Sequence, residues 1–497
     1  MPANLNTKSL KQFCLRKIAL CFDSFWMKSF NEQFKDVPRI LYVIGPFDHM
    51  TNETVQDLIN SLIDVNRLKA VHFQLLLQES VVRLDLSKAP KPAVSDSVLK
   101  VIALRCPRLR YLDLSRSAVS PRSLSDLLKQ LPELQHLDLS FTKCNDQMLS
   151  LLGHYCPKLH RLQLANTPVT DCGMFSLCRA PSAEIGCKKL VHIDILDTSV
   201  KQNGVAHCLY NLPNLHYLRH HNIIGAIQAD MDMKIESGED ITPYKLKQIT
   251  ATGDVSNIRR EVWSSFPNVV ELSLIADFKA VDMTAIGSLK HLKVLTLEYK
   301  IFGRGAPDTG LTVAETVTQL FAKIGKQLEK LSLLAFFPRD FFPLRPYCTK
   351  LKELYIWYFE DDERLEGLQE NRLCYGNLIK CEAYCGELRN CCLKQTGLLA
   401  ILKGAPNLET LSIDNLDEME NDELLEIYSV NPLKRIKNIR FKGCNDIDTD
   451  VLYPLLDGEN DLQNLDLTGC NDISKRNIKD LLDYAKQNHL NISITWS

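Results

Sequence analysis

The 497 residues are 45% hydrophobic and 24% charged, an ordinary composition for a folded globular chain. A net charge of −2 supplies no global field toward nucleic acid or an anionic membrane surface. No run reaches the roughly 18 consecutive apolar residues that span a bilayer. Arg16, Lys17 and Asp23 interrupt the N-terminal apolar residues, so no secretory signal is read there. The 17 cysteines are therefore expected to be reduced thiols rather than a disulfide framework, which points to a cytoplasmic or nuclear setting.

Residues 1–80 carry no repeat. In "SLKQFCLRKIA", Leu10, Cys14 and Ile18 recur four residues apart on one helical face, and Ser9 can cap that helix. A narrow stripe with a small residue between two large ones suits a partner's groove. It equally suits a terminal cap that covers the first repeat. Val37, Pro38 and Leu41 form a second apolar motif, and the segment 1–48 is read as one helical unit. Residues 49–80 are expected to form a helical cap in front of the first repeat.

From residue 81 onward one pattern returns: "VVRLDLS", "LRYLDLS", "LQHLDLS", "LHRLQLA", "LVHIDIL", "LHYLRHH". The central residues Leu84, Leu112, Leu137, Leu162, Ile193 and Leu218 are 28, 25, 25, 31 and 25 residues apart, the leucine-rich-repeat period. Further copies centre on Ile249, Leu272, Leu295, Leu331, Leu354, Cys381, Leu411, Ile439 and Leu465, with a closing strand near Ile492. The strand half alternates in-out. The helix half in "SPRSLSDLLKQLP" places Leu124, Leu127, Leu128 and Leu131 on one face, with Ser120 as N-cap and Pro121 first in the helix. Neither half buries its apolar face alone, so stacking is obligatory. The expected fold is an α/β solenoid over 81–497, a horseshoe with a parallel concave sheet and outer helices. Residues 226–245 and 300–327 exceed the repeat and are expected to form a loop and an extra helix.

The open face of the sheet takes the residues beside each core position. Early copies offer Arg83, Asp85, Tyr111, Asp113, His136 and Asp138; the middle offers Tyr217, Arg219 and His221, with His220 inward and satisfied by backbone. Later copies place Glu353, Tyr355, Trp357, Lys380, Glu382 and Tyr384 together. Exposed aromatics on neighbouring strands make a candidate substrate patch centred on Trp357. In the competing reading the 300–327 insertion folds over those rings.

Catalytic and metal-binding patterns are not expected. Cys381, Cys385, Cys391 and Cys392 lack paired C-x-x-C spacing. "GRGAPDTG" has no phosphate-loop lysine, and neither H-E-x-x-H nor G-x-S-x-G occurs.

The order Ser9-Leu10-x-x-x-Cys14-x-x-x-Ile18 resembles the elongin-binding BC box of cullin-RING substrate receptors. That resemblance implies that Leu10 enters a pocket on elongin C, that Cys14 permits close approach and that Ile18 shares the contact. Val37-Pro38-x-x-Leu41 resembles the start of a cullin-2 box, although Gly45 stands where that box has a hydrophobic residue. "GCNDIDTD" and "GCNDISKR" resemble the cysteine-containing class of leucine-rich repeats. The whole order resembles the Zyg/Zer family of cullin-2 receptors. That family's C-terminal armadillo-like domain, the part that recognises N-terminal glycine degrons, has no counterpart here, so glycine-degron activity is not carried over. The resemblance implies a non-catalytic substrate-recognition subunit of an elongin BC/cullin-2 ubiquitin ligase. Its partners would be elongin C with elongin B, cullin-2 and a protein substrate; no cofactor, metal, nucleic acid or membrane is implied. The alternatives are a plain interaction scaffold and an F-box receptor beginning at Val37-Pro38, which lacks the later tryptophan stretch.

Overall fold

The computed structural model describes residues 9–33, 46–178, 186–241, 243–252, 258–276, 283–300, 313–336, 347–358, 375–385, 398–416, 421–445, 447–457 and 459–497. The chain divides into two compact units, Met1–Asp240 and Ile241–Ser497.

The first unit opens with helix α1 (Leu10–Leu20), a π-helical turn (Phe22–Met27), α2 (Lys28–Gln33) and α3 (Asn52–Asp64). Ser9 and Gln12 start α1 with a reciprocal capping box, which satisfies two N–H groups the first turn leaves free. Leu15 and Ala19 are buried on one side of α1. They pack on α3, whose Val55, Leu58, Ile59 and Leu62 are buried at helical spacing. Six short strands follow: β1 (Arg83–Asp85), β2 (Tyr111–Asp113), β3 (His136–Asp138), β4 (Arg161–Gln163), β5 (His192–Asp194) and β6 (Tyr217–Arg219). Each pairs in parallel with the next, and Leu84, Leu112, Leu137, Leu162, Ile193 and Leu218 stand in register.

An open strand edge needs partners for its backbone. At β1 they come from α3. Asn52 Oδ1 accepts from the Val82 and Arg83 N–H groups at 2.9 and 3.0 Å. Gln56 accepts from the Asp85 N–H and donates to the Asp85 carbonyl, both at 2.9 Å. The aspartates of "LDLS" have a local task. Asp85, Asp113 and Asp138 accept the backbone N–H two residues on, from Ser87, Ser115 and Ser140 at 3.0, 2.9 and 2.8 Å, which fixes the turn leaving each strand.

Among its described residues the second unit has ten strands: β7 (Gln248–Thr252), β8 (Glu271–Ala276), β9 (Val294–Tyr299), β10 (Lys330–Phe336), β11 (Glu353–Tyr358), β12 (Lys380–Cys385), β13 (Thr410–Asp414), β14 (Asn438–Lys442), β15 (Asn464–Asp466) and β16 (Ser493–Thr495). Ile249, Leu272, Leu295, Leu331, Leu354, Cys381, Leu411, Ile439 and Leu465 are in register along them, all parallel. Each unit therefore repeats one strand-and-return element with a leucine at its centre, and the chain is an α/β leucine-rich-repeat solenoid.

One sequence expectation needs correction. Residues 226–237 are not loop: they belong to a helix, Ile223–Ser237, which Gly238 ends at φ 71°, the left-handed conformation glycine adopts without strain. The closing strand expected near Ile492 is β16, in which Ile494 pairs with Leu465. In the second insertion, Val313–Ile324 is helical; residues 301–312 lie outside the described set. No helix among the described residues is long and apolar enough to cross a membrane.

Candidate interaction sites

Helix α1 has two apolar faces. The inner one is anchored by Leu15, Ala19 and then Phe22, whose ring stacks on Phe47 at 5.6 Å and lies 4.7 Å from the His72 ring. Lys11 bridges to Asp57 at 2.7 Å, and Arg67 donates to the Leu20 carbonyl at 2.7 Å. On the outer face Leu10 is 80% exposed, Cys14 is exposed and Ile18 is half-buried. The stripe therefore does not cover the first repeat, whose edge α3 already occupies. Sequence reasoning missed Phe13, Leu20 and Phe25, which are exposed on the same segment; Phe25, at 60%, meets only the edge of Trp26 among the ring contacts described. Val37, Pro38 and Leu41 lie outside the described residues.

A polar clamp holds the turn after α1. His72 is fully buried; its Nε2–H donates to Asp23 at 2.8 Å and its Nδ1 accepts the Lys69 N–H at 3.3 Å. Burial lowers the His72 pKa, against the pull of Asp23. Burial would raise Asp23, yet hydrogen bonds from Lys69 and His72 hold it below the usual carboxylate value.

In the second unit β11 and β12 bring the later candidates together. Glu353 stands beside Lys380, Tyr355 beside Glu382 and Trp357 beside Tyr384. Trp357 and Tyr384 are 46% and 40% exposed and meet edge to face at 5.1 Å. Tyr355 lies between the ammonium groups of Lys330 and Lys380, at 4.6 and 5.1 Å from its ring, and donates to Glu353 at 3.0 Å. Lys330–Glu353 and Lys380–Glu382 are ion pairs at 3.1 and 2.8 Å.

Tyr217 and Arg219 belong to the first unit, so they form a separate group from the six residues around Trp357. Arg219 binds the buried Asp194 at 2.8 Å, and Tyr217 stacks on His192 at 5.6 Å. His220 is buried, facing the Val200 carbonyl at 3.0 Å and accepting the Asn222 N–H at 3.1 Å, the backbone satisfaction expected of it. The residue ahead of each central leucine builds a ladder across β1 to β6: Arg83, Tyr111, His136, Arg161, His192, Tyr217. Arg161 and His192 were not singled out from sequence, although their places in the repeat were legible. The Arg83 guanidinium lies 3.6 Å from the Tyr111 ring centre, Tyr111 and His136 are 5.9 Å apart, and Arg161 reaches His192 at 3.4 Å. Burial, then Arg161 and Arg219, pushes His192 down to about 4; burial and Arg161 likewise lower His136.

Among the described residues no group of three His, Cys, Asp or Glu side chains is placed to hold a metal ion. Cys381 and Cys385 are buried in β12; Cys391 and Cys392 lie outside the described residues.

No protein-family model and no curated protein matches the chain. Solved structures with which it aligns include the Rad7 and Elc1 complex in yeast, at 14% identity over 94% of this chain and 95% of that one, TM-score 0.40. A leucine-rich-repeat protein of Leptospira interrogans, LIC12759, aligns at 14% identity over 93% and 98%, TM-score 0.38. An internalin of Listeria monocytogenes aligns at 13% over 91% and 97%, TM-score 0.31. At these scores the likeness bears on neither partner nor activity. The repeat assignment follows from the sixteen strands among the described residues, and the class they define is the leucine-rich-repeat protein.

Proposed function

We propose that this chain is the substrate-recognition subunit of an elongin BC/cullin-2 type ubiquitin ligase, working in the cytoplasm or nucleus as a non-catalytic adaptor. The observation that carries the reading is the division of labour at the N-terminus. Asn52 and Gln56 of α3 close the edge of β1, while the helix ahead of it turns Leu10 and Cys14 to solvent. A helix needed only to seal the repeats has no use for a second apolar face. A capped rod with a leucine, a small thiol and an isoleucine at four-residue intervals fits a hydrophobic groove on a partner, here elongin C. The cullin contact rests on Val37, Pro38 and Leu41 in the sequence alone. Substrate would meet the face built by Glu353, Tyr355, Trp357, Lys380, Glu382 and Tyr384, where large exposed rings bring area with few rotors.

Co-purification tests this. Full-length chain and a Leu10→Ala/Cys14→Phe variant are probed for elongin C, cullin-2 and a Skp-type adaptor. Elongin C and cullin-2 retained by the wild type and lost by the variant is the expected result. Capture of neither by the wild type leaves an interaction scaffold without a ligase, and capture of the Skp adaptor makes it an F-box receptor.

A further inference from the structure

The ladder on the first unit is a candidate binding surface that the ligase reading does not use. Among the described residues neither Arg83 nor Arg161 has a carboxylate partner: Arg83 stacks on Tyr111 and Arg161 meets His192. The aspartates of the adjoining column are all engaged. Asp85, Asp113 and Asp138 accept turn N–H groups, and Asp194 takes both the Leu196 N–H and Arg219. Two guanidinium groups without a described carboxylate partner therefore stand at either side of this stretch, Arg83 over the Tyr111 ring and Arg161 against His192, with His136 between their strands. Burial, then Arg161, disfavours the charged form of His136.

Spacing sets the ligand. Arg83 and Arg161 lie on β1 and β4, three strand steps apart, about 14 Å at roughly 4.8 Å per step. An extended peptide rises about 3.3 Å per residue, so side chains four residues apart on one of its edges match that span. We infer that this face binds an extended peptide segment carrying acidic residues at i and i+4, paired with Arg83 and Arg161, and an aromatic residue at i+2 that packs against His136. A nucleic acid offers the same mixture of anion and ring, but its continuous phosphate charge would run beside Asp85, Asp113, Asp138 and Asp194. Burial, and to a lesser extent neighbouring aspartates, already raise the pKa of Asp113 and Asp138. A peptide places its two charges over the arginines and can offer a neutral edge to the aspartates.

The test uses the full chain and a fluorescein-labelled seven-residue peptide with two glutamates four apart, a central tyrosine and serines between. Controls replace both glutamates by glutamine, move them to three apart, or substitute single-stranded RNA. Binding by fluorescence anisotropy should weaken at least tenfold with the glutamine peptide, with the three-apart peptide and with Arg83→Gln/Arg161→Gln, and should weaken with added salt. Unchanged thermal melting and circular dichroism of that double variant separate lost contacts from lost fold, and Arg219→Gln, whose arginine is already paired, is the neighbouring-charge control. Failure of the acidic peptide to bind at millimolar concentration overturns the inference, as does equal binding of the glutamine peptide or no loss in the double variant. RNA binding more tightly than the peptide overturns the choice of ligand. Elongin C capture is independent of every one of these outcomes.

Discussion

Leu10 and Leu15 lie on opposite sides of α1, and truncating each to alanine should separate stability from recruitment. Leu15 is buried on α3, so Leu15→Ala deletes packed methyl groups and should cost the N-terminal segment roughly 2–5 kcal/mol. Leu10→Ala, on a side chain 80% exposed, should change stability by no more than about 0.5 kcal/mol. Against elongin BC the order reverses. The substitution removes three carbons at about 0.8 kcal/mol each, roughly 2.4 in all. Since 80% of the side chain remains to be covered by a partner, about 1.9 kcal/mol is at stake, a loss of about 25-fold in Kd. Hydrogen exchange of residues 10–33 reads the first quantity and calorimetric titration the second. A repeat array can loosen at one end alone, so local exchange is the proper measure rather than a global melting point. If Leu10→Ala opens the segment as far as Leu15→Ala does, or leaves elongin C affinity unchanged, the outer face is not a docking surface.

His72 should make the same segment sensitive to acid. Its folded pKa lies below the ordinary 6.5, so the opened segment takes up the proton first. This contribution is whole above pH 6.5 and is lost as pH falls through the lowered folded value. Hydrogen exchange at α1 should accelerate over that window in the wild type but much less in His72→Gln; an equal slope in both would place the effect elsewhere. Trp357→Ala should cost about 1.5–3 kcal/mol in urea denaturation, about 0.5–1.5 for its edge contact with Tyr384 and the rest for the half of the indole already buried. A loss above roughly 3 kcal/mol would show that the ring supports the core rather than awaits a ligand. Burial pushes the thiols of Cys106, Cys144 and Cys156 up to about 12, whereas Cys14 and Cys172 are exposed. Mass spectrometry after brief alkylation of native protein should therefore find Cys14 and Cys172 modified and those three spared; alkylation of the three at the same rate would contradict their burial.

The strand centres were legible because a period-2 pattern inside a period near 25 leaves few ways to lay the chain down. Even the degenerate copies at Ile249 and Cys381 kept it: Ala251 and Ala383 are small but buried two residues on, and a small apolar residue preserves the alternation. The Ile223–Ser237 helix was missed because length was weighed above pattern. Ile223, Ile227 and Met231 are each four apart and all buried, a helical signal that the comparison with repeat length obscured. The closing strand was legible as well: Ile492 and Ile494 share one face of an alternating run, and pairing with Leu465 places Ile494 at its centre. Sites were less legible than cores. A repeat tells which positions face outward but not which outward side chains satisfy one another. From sequence Arg161 and Arg219 are both outward arginines flanking a central leucine, one ahead of Leu162 and one after Leu218; Asp194 neutralises Arg219, and nothing described neutralises Arg161.

The same asymmetry explains why α3 and α1 can be assigned different tasks. A sheet edge is costly because it leaves backbone groups unpaired, and two side chains of α3 pair those of β1 without help from α1. Helix α1 is nonetheless pinned, by Leu15, Ala19 and Phe22 within and by Lys11–Asp57 at its rim. Pinning restricts the very residues that remain outside, so Leu10 and Cys14 are presented from a rod whose direction is already fixed. A groove that accepts them bears less ordering cost than it would for a free peptide. Loosening the inner face with Leu15→Ala should then weaken elongin C as well, although Leu15 touches no partner. That loss would be recovered wherever the segment is held in place by other means.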